Sequence, residues 1–146
     1  MKNFLLNSVL ISGLFVSICS HAADNEKQIL LKKYHNEIEL SLNQCTSSLK
    51  YAFISAELSK SPIDLKRSYE CISDGKISIK KAYEAVIYTI EKTAAKTALK
   101  EHYIGAVSAL QGIQFHDDER KINYEKRQSD NKVKVDELWL RFEIEN

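Results

Sequence analysis

Two cysteines lie at nearly equal distances from a strong turn signal in the chain. Cys45 and Cys71 are 26 residues apart, and the residue midway between them, Leu58, directly precedes the sequence Ser59-Lys60-Ser61-Pro62. If helices flank that turn, an antiparallel pair brings the two sulfur atoms to similar heights. The sequence therefore predicts a helical hairpin closed by a Cys45–Cys71 disulfide; the alternative is two free buried thiols.

Apolar residues recur at steps of three and four along most of the chain, which is the spacing of one helix face. The 146 residues include only four glycines and one proline, few for a β protein rich in tight turns. We expect an all-α fold, a small bundle of four to five helices. The predicted helices are a first over 25–58, a second from Pro62 with Ser61 as N-cap to a stop at Asp74-Gly75, and a third from Ile77 to a terminator at Gly112.

The later part of the chain is less regular. A bend or break is expected between His102 and Gly105, because glycine lowers helix propensity. A final helix should follow, capped by Asp117 or Asp118. Its first part, residues 120–134, is so polar that it should pack weakly or form a solvated arm.

The C-terminal residues allow two interpretations. Val135, Leu138, Trp139 and Phe142 form a helical stripe that would dock the C-terminus on the bundle. Residues 138–144 also alternate between apolar and polar, so a short terminal strand is the alternative.

The first 22 residues have the composition of a secretory signal peptide. Lys2 is the only charge ahead of an apolar stretch over 4–18, and Ser20-His21-Ala22 supplies the small-x-small cleavage pattern. We predict that residues 1–22 are cleaved, leaving a single helical domain over 23–146. A membrane anchor, which needs roughly 20 apolar residues, and a lipoprotein acylated at Cys19 are the alternatives.

Removal of this leader changes the charge and the cysteine count. Lys plus Arg falls from 21 to 20 and then equals the 20 Asp plus Glu residues. A neutral domain gives no reason to expect a nucleic-acid partner or attachment to anionic lipid. With Cys19 gone, two cysteines remain, and an even number in an exported chain indicates a disulfide. We therefore expect a periplasmic or secreted protein.

No motif of a catalytic or cofactor site is found. The sequence has no Gly-x-Ser-x-Gly, no His-Glu-x-x-His and no glycine-rich phosphate loop. We expect no enzyme activity, no catalytic residues, no metal and no cofactor. An enzyme with an unrecognised site is the third possibility, after the two binding functions described below.

The histidines and acidic residues give weak signals. A turn with four polar residues, His116, Asp117, Asp118 and Glu119, could hold a hard cation, but it lacks the ligand spacing of a calcium loop, so helix capping is the preferred interpretation. His35 and Glu39 are four residues apart on a helix, and two ligands do not make a site. His35, His102 and His116 are all expected at the surface or its boundary.

Seven tyrosines accompany a single tryptophan. Tyrosine is enriched where proteins bind each other, although a tyrosine at the core boundary with a hydrated hydroxyl is the more common arrangement. Tyr88, Tyr51 and Tyr124 are the candidate partner-binding residues. We expect the protein to bind another macromolecule of the cell envelope, as an inhibitor, an immunity-type protein or an accessory factor. The alternative is a carrier that holds a small molecule or a metal between its helices.

Overall fold

Four helices make up the structure, a computed structural model that describes the backbone of residues 9–116 and 119–146 and the side chains of residues 24–116 and 119–146. The helices are α1 (Val9–Ser59), α2 (Lys66–Ile87), α3 (Thr93–Gln111) and α4 (Lys121–Glu145). Within these ranges there is no strand. The prediction of a small all-α bundle is confirmed, and residues 138–144 are helical.

The first two helices form the expected disulfide-linked hairpin. Cys45 on α1 and Cys71 on α2 are bonded, with Cα atoms 5.4 Å apart. Closing a loop of 26 residues stabilises the fold by about 3.5 kcal/mol in the chain-entropy account. The first helix begins earlier than the predicted residue 25, because its apolar N-terminal extension contains few helix-breaking residues.

The second helix begins and ends later than predicted. The Ser61 hydroxyl hydrogen-bonds the Ser59 hydroxyl instead of capping a helix, and the carboxylate of Asp64 accepts a 3.0 Å hydrogen bond from the Lys66 backbone N–H. The predicted stop at Asp74-Gly75 is wrong, since α2 continues through it to Ile87. Gly75 is buried where a Cβ would approach Leu110 and Ser41, so this glycine permits close helix packing.

The helical segment predicted from Ile77 onward is interrupted at residues 88–92, between α2 and α3, and not near His102. The Thr89 hydroxyl donates a 2.8 Å hydrogen bond to the Val86 carbonyl, which competes with helix continuation. Ile90, just beyond, is buried in the core. The predicted long third helix is therefore two helices, and α3 runs unbroken through Gly105 to Gln111, with Gly112 at its C-cap as expected.

Arg127 on α4 fixes the connection between α3 and α4. Its guanidinium donates hydrogen bonds to the Gly112 carbonyl, the Gln114 carbonyl and the Glu119 carboxylate. The hydrogen bond between Arg127 and the Glu119 carboxylate holds the pKa of Glu119 below its usual value. Of the two expectations for residues 120–134, weak packing holds and a solvated arm does not: from Lys121 they form a helix in which Tyr124 is buried and most other side chains are exposed.

The helices are arranged as two hairpins, α1–α2 and α3–α4, joined mainly by packing of α2 on α3. The core consists of apolar side chains from all four helices, including Ile38, Ile79, Leu99, Leu110 and Phe142. No helix in the described chain is both long and apolar enough to cross a membrane.

Candidate functional site

An open cleft separates α1 from α4. Within the described chain, no Cα atom of α1 comes within 8 Å of one in α4, whereas directly packed helices have axes only about 8 to 10 Å apart. Two depressions follow each other along the cleft, one lined on α1 by residues between Glu39 and Thr46 and the other by residues between Lys50 and Glu57. At a rise of about 1.5 Å per residue, the stretch from Glu39 to Glu57 is about 27 Å long.

One end of the cleft is apolar. Here a depression of about 600 Å³, which we call the apolar well, lies between the end of α1, the α1–α2 loop and the start of α4. Phe53 and Phe115 meet edge to face with ring centroids 4.9 Å apart, and Tyr124 lies 5.8 Å from Phe115. Ile54 and Ile63 also line the well and remain about half exposed. The well is thus an aromatic pocket whose rim carries aliphatic side chains and four charged residues, Lys50, Glu57, Lys121 and Glu125.

The middle of the cleft carries polar side chains beside Leu42, although most of the surface that lines it is apolar. Glu39, Asn43 and Thr46 of α1 face Gln128, Ser129, Asn131 and Lys132 of α4, with Ala109 of α3 between them. The Lys132 ammonium lies 3.7 Å from the Glu39 carboxylate. This ion pair joins two helices that have no Cα atoms within 8 Å of each other in the described chain.

The other end of the cleft is closed by Trp139 of α4. Its indole ring lies 4.4 Å from the His35 ring, 5.1 Å from the His102 ring and 6.3 Å from the Tyr34 ring. Phe142 packs against the same indole. We call these five residues the aromatic cluster; it fixes the distance between α1 and α4 and so holds the cleft open.

One histidine of the aromatic cluster, His102, is in an environment that disfavours positive charge. His102 is fully buried, and burial, with a smaller contribution from His35, lowers its pKa to about 4. Its Nδ1 shares a 3.0 Å hydrogen bond with the Tyr34 hydroxyl. His102 Nε2 and His35 Nδ1 have no hydrogen-bond partner among the described residues. The placement of His102 at the surface or boundary is therefore wrong: it is a neutral core residue.

The other polar residues singled out in the sequence do not assemble into a site. Glu39 pairs with Lys132 and not with His35, and Glu119 pairs with Arg127. Asp117 and Asp118 lie outside the described residues. Among the residues described, no group of three or more His, Cys, Asp or Glu side chains could hold a metal ion.

The three candidate tyrosines are not on one surface. Tyr88 is 87 % exposed in the α2–α3 turn, at the far end of α2 from the hairpin loop. Tyr51 is exposed on α1, close to the apolar well. Tyr124 is buried rather than surface exposed: its ring lines the well, and its hydroxyl donates a 3.4 Å hydrogen bond to the Ile113 carbonyl.

Comparison with known proteins gives no information on function, so a functional assignment rests on the cleft. No protein-family description matches the sequence, and neither a search of curated proteins nor a search of solved structures finds a similar one.

Proposed function

We propose that this protein is exported and binds another protein of the cell envelope through the α1–α4 cleft, as an inhibitor, an immunity-type protein or an accessory factor. The signal-peptide pattern of residues 1–22 supports export. The Cys45–Cys71 disulfide supports the same compartment, because such bonds persist where the surroundings are oxidising.

The observation that carries the binding proposal is the apolar well with its exposed rim. Hot spots of protein interfaces are aromatic or aliphatic side chains that fill such pockets, surrounded by residues that exclude water. Phe53, Phe115 and Tyr124 supply the pocket, and Ile54 and Ile63 supply a rim that a partner's surface would cover. The middle of the cleft then offers hydrogen-bonding groups that fix the partner's position.

A small-molecule carrier is the second candidate, and the well's volume favours it. About 600 Å³ is within the range of small-molecule sites, which are mostly apolar with a few polar groups. Such sites bury most of the ligand, however, and a ligand inside this well would leave Ile54 and Ile63 partly in water. The exposed rim therefore favours a protein partner.

Affinity capture with matched variants tests the proposal. Ile63→Asp places a charge on the rim of the well, and Ser129→Trp obstructs the middle of the cleft from an exposed position. Ile77→Asp and Ser73→Trp are the controls, because they make the same changes at exposed α2 positions away from the cleft. Unchanged circular dichroism would show that each variant folds.

We expect wild-type protein and both controls to retain the same envelope protein, and both cleft variants to lose it. Equal capture by Ile63→Asp and Ile77→Asp would contradict the proposal. A stoichiometric small molecule that co-purifies with wild type and is lost in Ile63→Asp would establish the carrier instead.

Export has its own test. Cell fractionation followed by intact mass analysis should find a periplasmic or secreted chain that begins at Ala23. A full-length chain that remains in the cytoplasm would contradict the predicted leader.

A further inference from the structure

The last two turns of α1 carry an apolar stripe that faces solvent. Tyr51, Ile54 and Leu58 are 67 %, 54 % and 81 % exposed. Their spacing of three and then four residues places them on one side of the helix. The buried residues of this part of α1, such as Leu49, occupy the opposite side. The stripe is therefore separate from the face that packs in the core, and only Ile54 also lines the apolar well.

The stripe has the pattern of a short coiled-coil seam. A step of three followed by a step of four is the a–d–a spacing of a heptad. Ser47 and Ser55 neighbour the stripe with small, exposed side chains, which allow another helix to approach. An exposed apolar seam of this kind is suited to a second helix lying alongside α1.

Two charged residues flank the stripe in a self-complementary arrangement. Lys50 and Glu57 are one heptad apart, so they lie on the same side of the seam, each directly preceding an apolar seam residue. Both are exposed, and neither forms an ion pair with another residue of the described chain. Residues at this heptad position commonly form interhelical ion pairs.

The midpoints of these pairs lie one residue apart, on either side of Ile54. Halfway between Lys50 and Glu57 is the bond from Phe53 to Ile54, and halfway between Tyr51 and Leu58 is the bond from Ile54 to Ser55. If two copies of α1 lay antiparallel about a two-fold axis near Ile54, Tyr51 would face Leu58 of the second copy. Lys50 would face Glu57 of the second copy, and the two-fold axis would generate a second, identical ion pair.

We infer that the protein forms a two-fold symmetric dimer in which α1 pairs with α1 of a second copy through Tyr51, Ile54 and Leu58. Two-fold dimers are the commonest oligomers, and their interfaces require a surface that complements itself. This inference goes beyond the proposed partner binding, since it concerns a second copy of the same chain; Lys50, Ile54 and Glu57 lie where the stripe borders the apolar well.

Charge reversal with sedimentation equilibrium tests the dimer. In Lys50→Glu both ion pairs become repulsive contacts between glutamates, and Glu57→Lys does the same with lysines. We expect each single variant to weaken dimerisation about tenfold. The double variant Lys50→Glu/Glu57→Lys restores opposite charges and should dimerise as wild type does, which a general effect on folding would not produce.

A second pair of variants tests the apolar seam. Leu58→Asp should give a monomer, whereas Leu140→Asp, at an exposed leucine on α4, should leave the dimer intact. The inference is overturned if wild type stays monomeric over a wide concentration range, if Leu58→Asp still dimerises, or if the double charge reversal fails to restore association. The first of these outcomes would leave the stripe for a different partner.

Discussion

The Tyr34 hydroxyl on α1 lies 3.0 Å from Nδ1 of His102 on α3, and both side chains are fully buried. This hydrogen bond joins residues 68 positions apart and satisfies polar atoms that would otherwise be isolated in the core. The same surroundings raise the pKa of Tyr34, chiefly through burial. Both groups are neutral at physiological pH, and the stability of the fold depends on their remaining so.

Acidification should destabilise the protein through His102. Its pKa is about 4 when folded and about 6.5 when unfolded, so the unfolded chain binds the proton more tightly. The contribution of neutral His102 to the free energy of unfolding is fully present above pH 6.5. It is lost as the pH drops toward 4, and the total loss is about 3 kcal/mol. Urea unfolding across this range would measure the loss.

The variant His102→Gln should remove most of this dependence above pH 4.5. Glu119 contributes in the same direction but at lower pH: its pKa is lowered by Arg127, so its contribution is present above its unfolded pKa near 4.5 and is lost below it. If the free energy of unfolding of His102→Gln fell between pH 6.5 and 4.5 as steeply as that of wild type, His102 would not be responsible for the pH dependence.

Removing the Tyr34 hydroxyl should be costly although the ring stays. Tyr34→Phe leaves His102 Nδ1 buried without its partner, a loss of about 1 to 3 kcal/mol. Tyr88→Phe, at an exposed turn, should change stability very little. Equal unfolding midpoints for the two variants would contradict a stabilising role for the buried hydrogen bond.

Two glycines should respond oppositely to alanine. At Gly75 a Cβ would lie 2.9 Å from Leu110 Cδ2 and 3.2 Å from Ser41 Cβ, so α2 would have to move away from its neighbours. The cost of overpacking, about 1 to 3 kcal/mol, exceeds the gain in helix propensity of about 1 kcal/mol. We expect Gly75→Ala to lose about 1 kcal/mol.

At Gly105 the new Cβ would meet only the end of the Leu138 side chain, which can move. Gly105→Ala should therefore stabilise α3 by up to about 1 kcal/mol. Thermal unfolding of both variants would separate the two cases, and a stabilised Gly75→Ala would refute the close-packing explanation.

The disulfide should account for a large share of the stability. Replacing both cysteines, Cys45→Ala with Cys71→Ala, should cost about 3.5 kcal/mol. Non-reducing mass analysis of wild type should give a mass two hydrogens below that of the dithiol form. Two alkylated thiols in the exported protein would exclude the bond.

Local and nearly local signals made part of the fold predictable. Cys45, Cys71 and the turn between them are enough to predict the hairpin. A helical hairpin needs only a reversal of the chain, and the disulfide then pairs its two helices. The position of the α2–α3 break was not predictable, since it depends on Thr89 bonding Val86 and on Ile90 reaching the core. The sequence around Gly75 predicts a helix stop. The glycine is instead explained by close packing on Leu110 and Ser41, which are distant in sequence and so give no local signal.

The site was harder to predict than the fold. In α3, alanines on several sides leave the buried face ambiguous in the sequence. The buried row includes Ala98, His102 and Ala106. The cleft results from a distance between α1 and α4, set by Trp139, and no periodicity within either helix encodes it.

The disulfide protects only half of the molecule. It joins α1 to α2, while α3 is the only helix of the described chain whose backbone lies close to that of α4. Amide hydrogens of α4 should therefore exchange with solvent through local opening at a lower free energy than those near Cys45. A protein bound in the cleft would contact the protected hairpin and the less protected helix together, and its arrival would be recorded as slower exchange along α4.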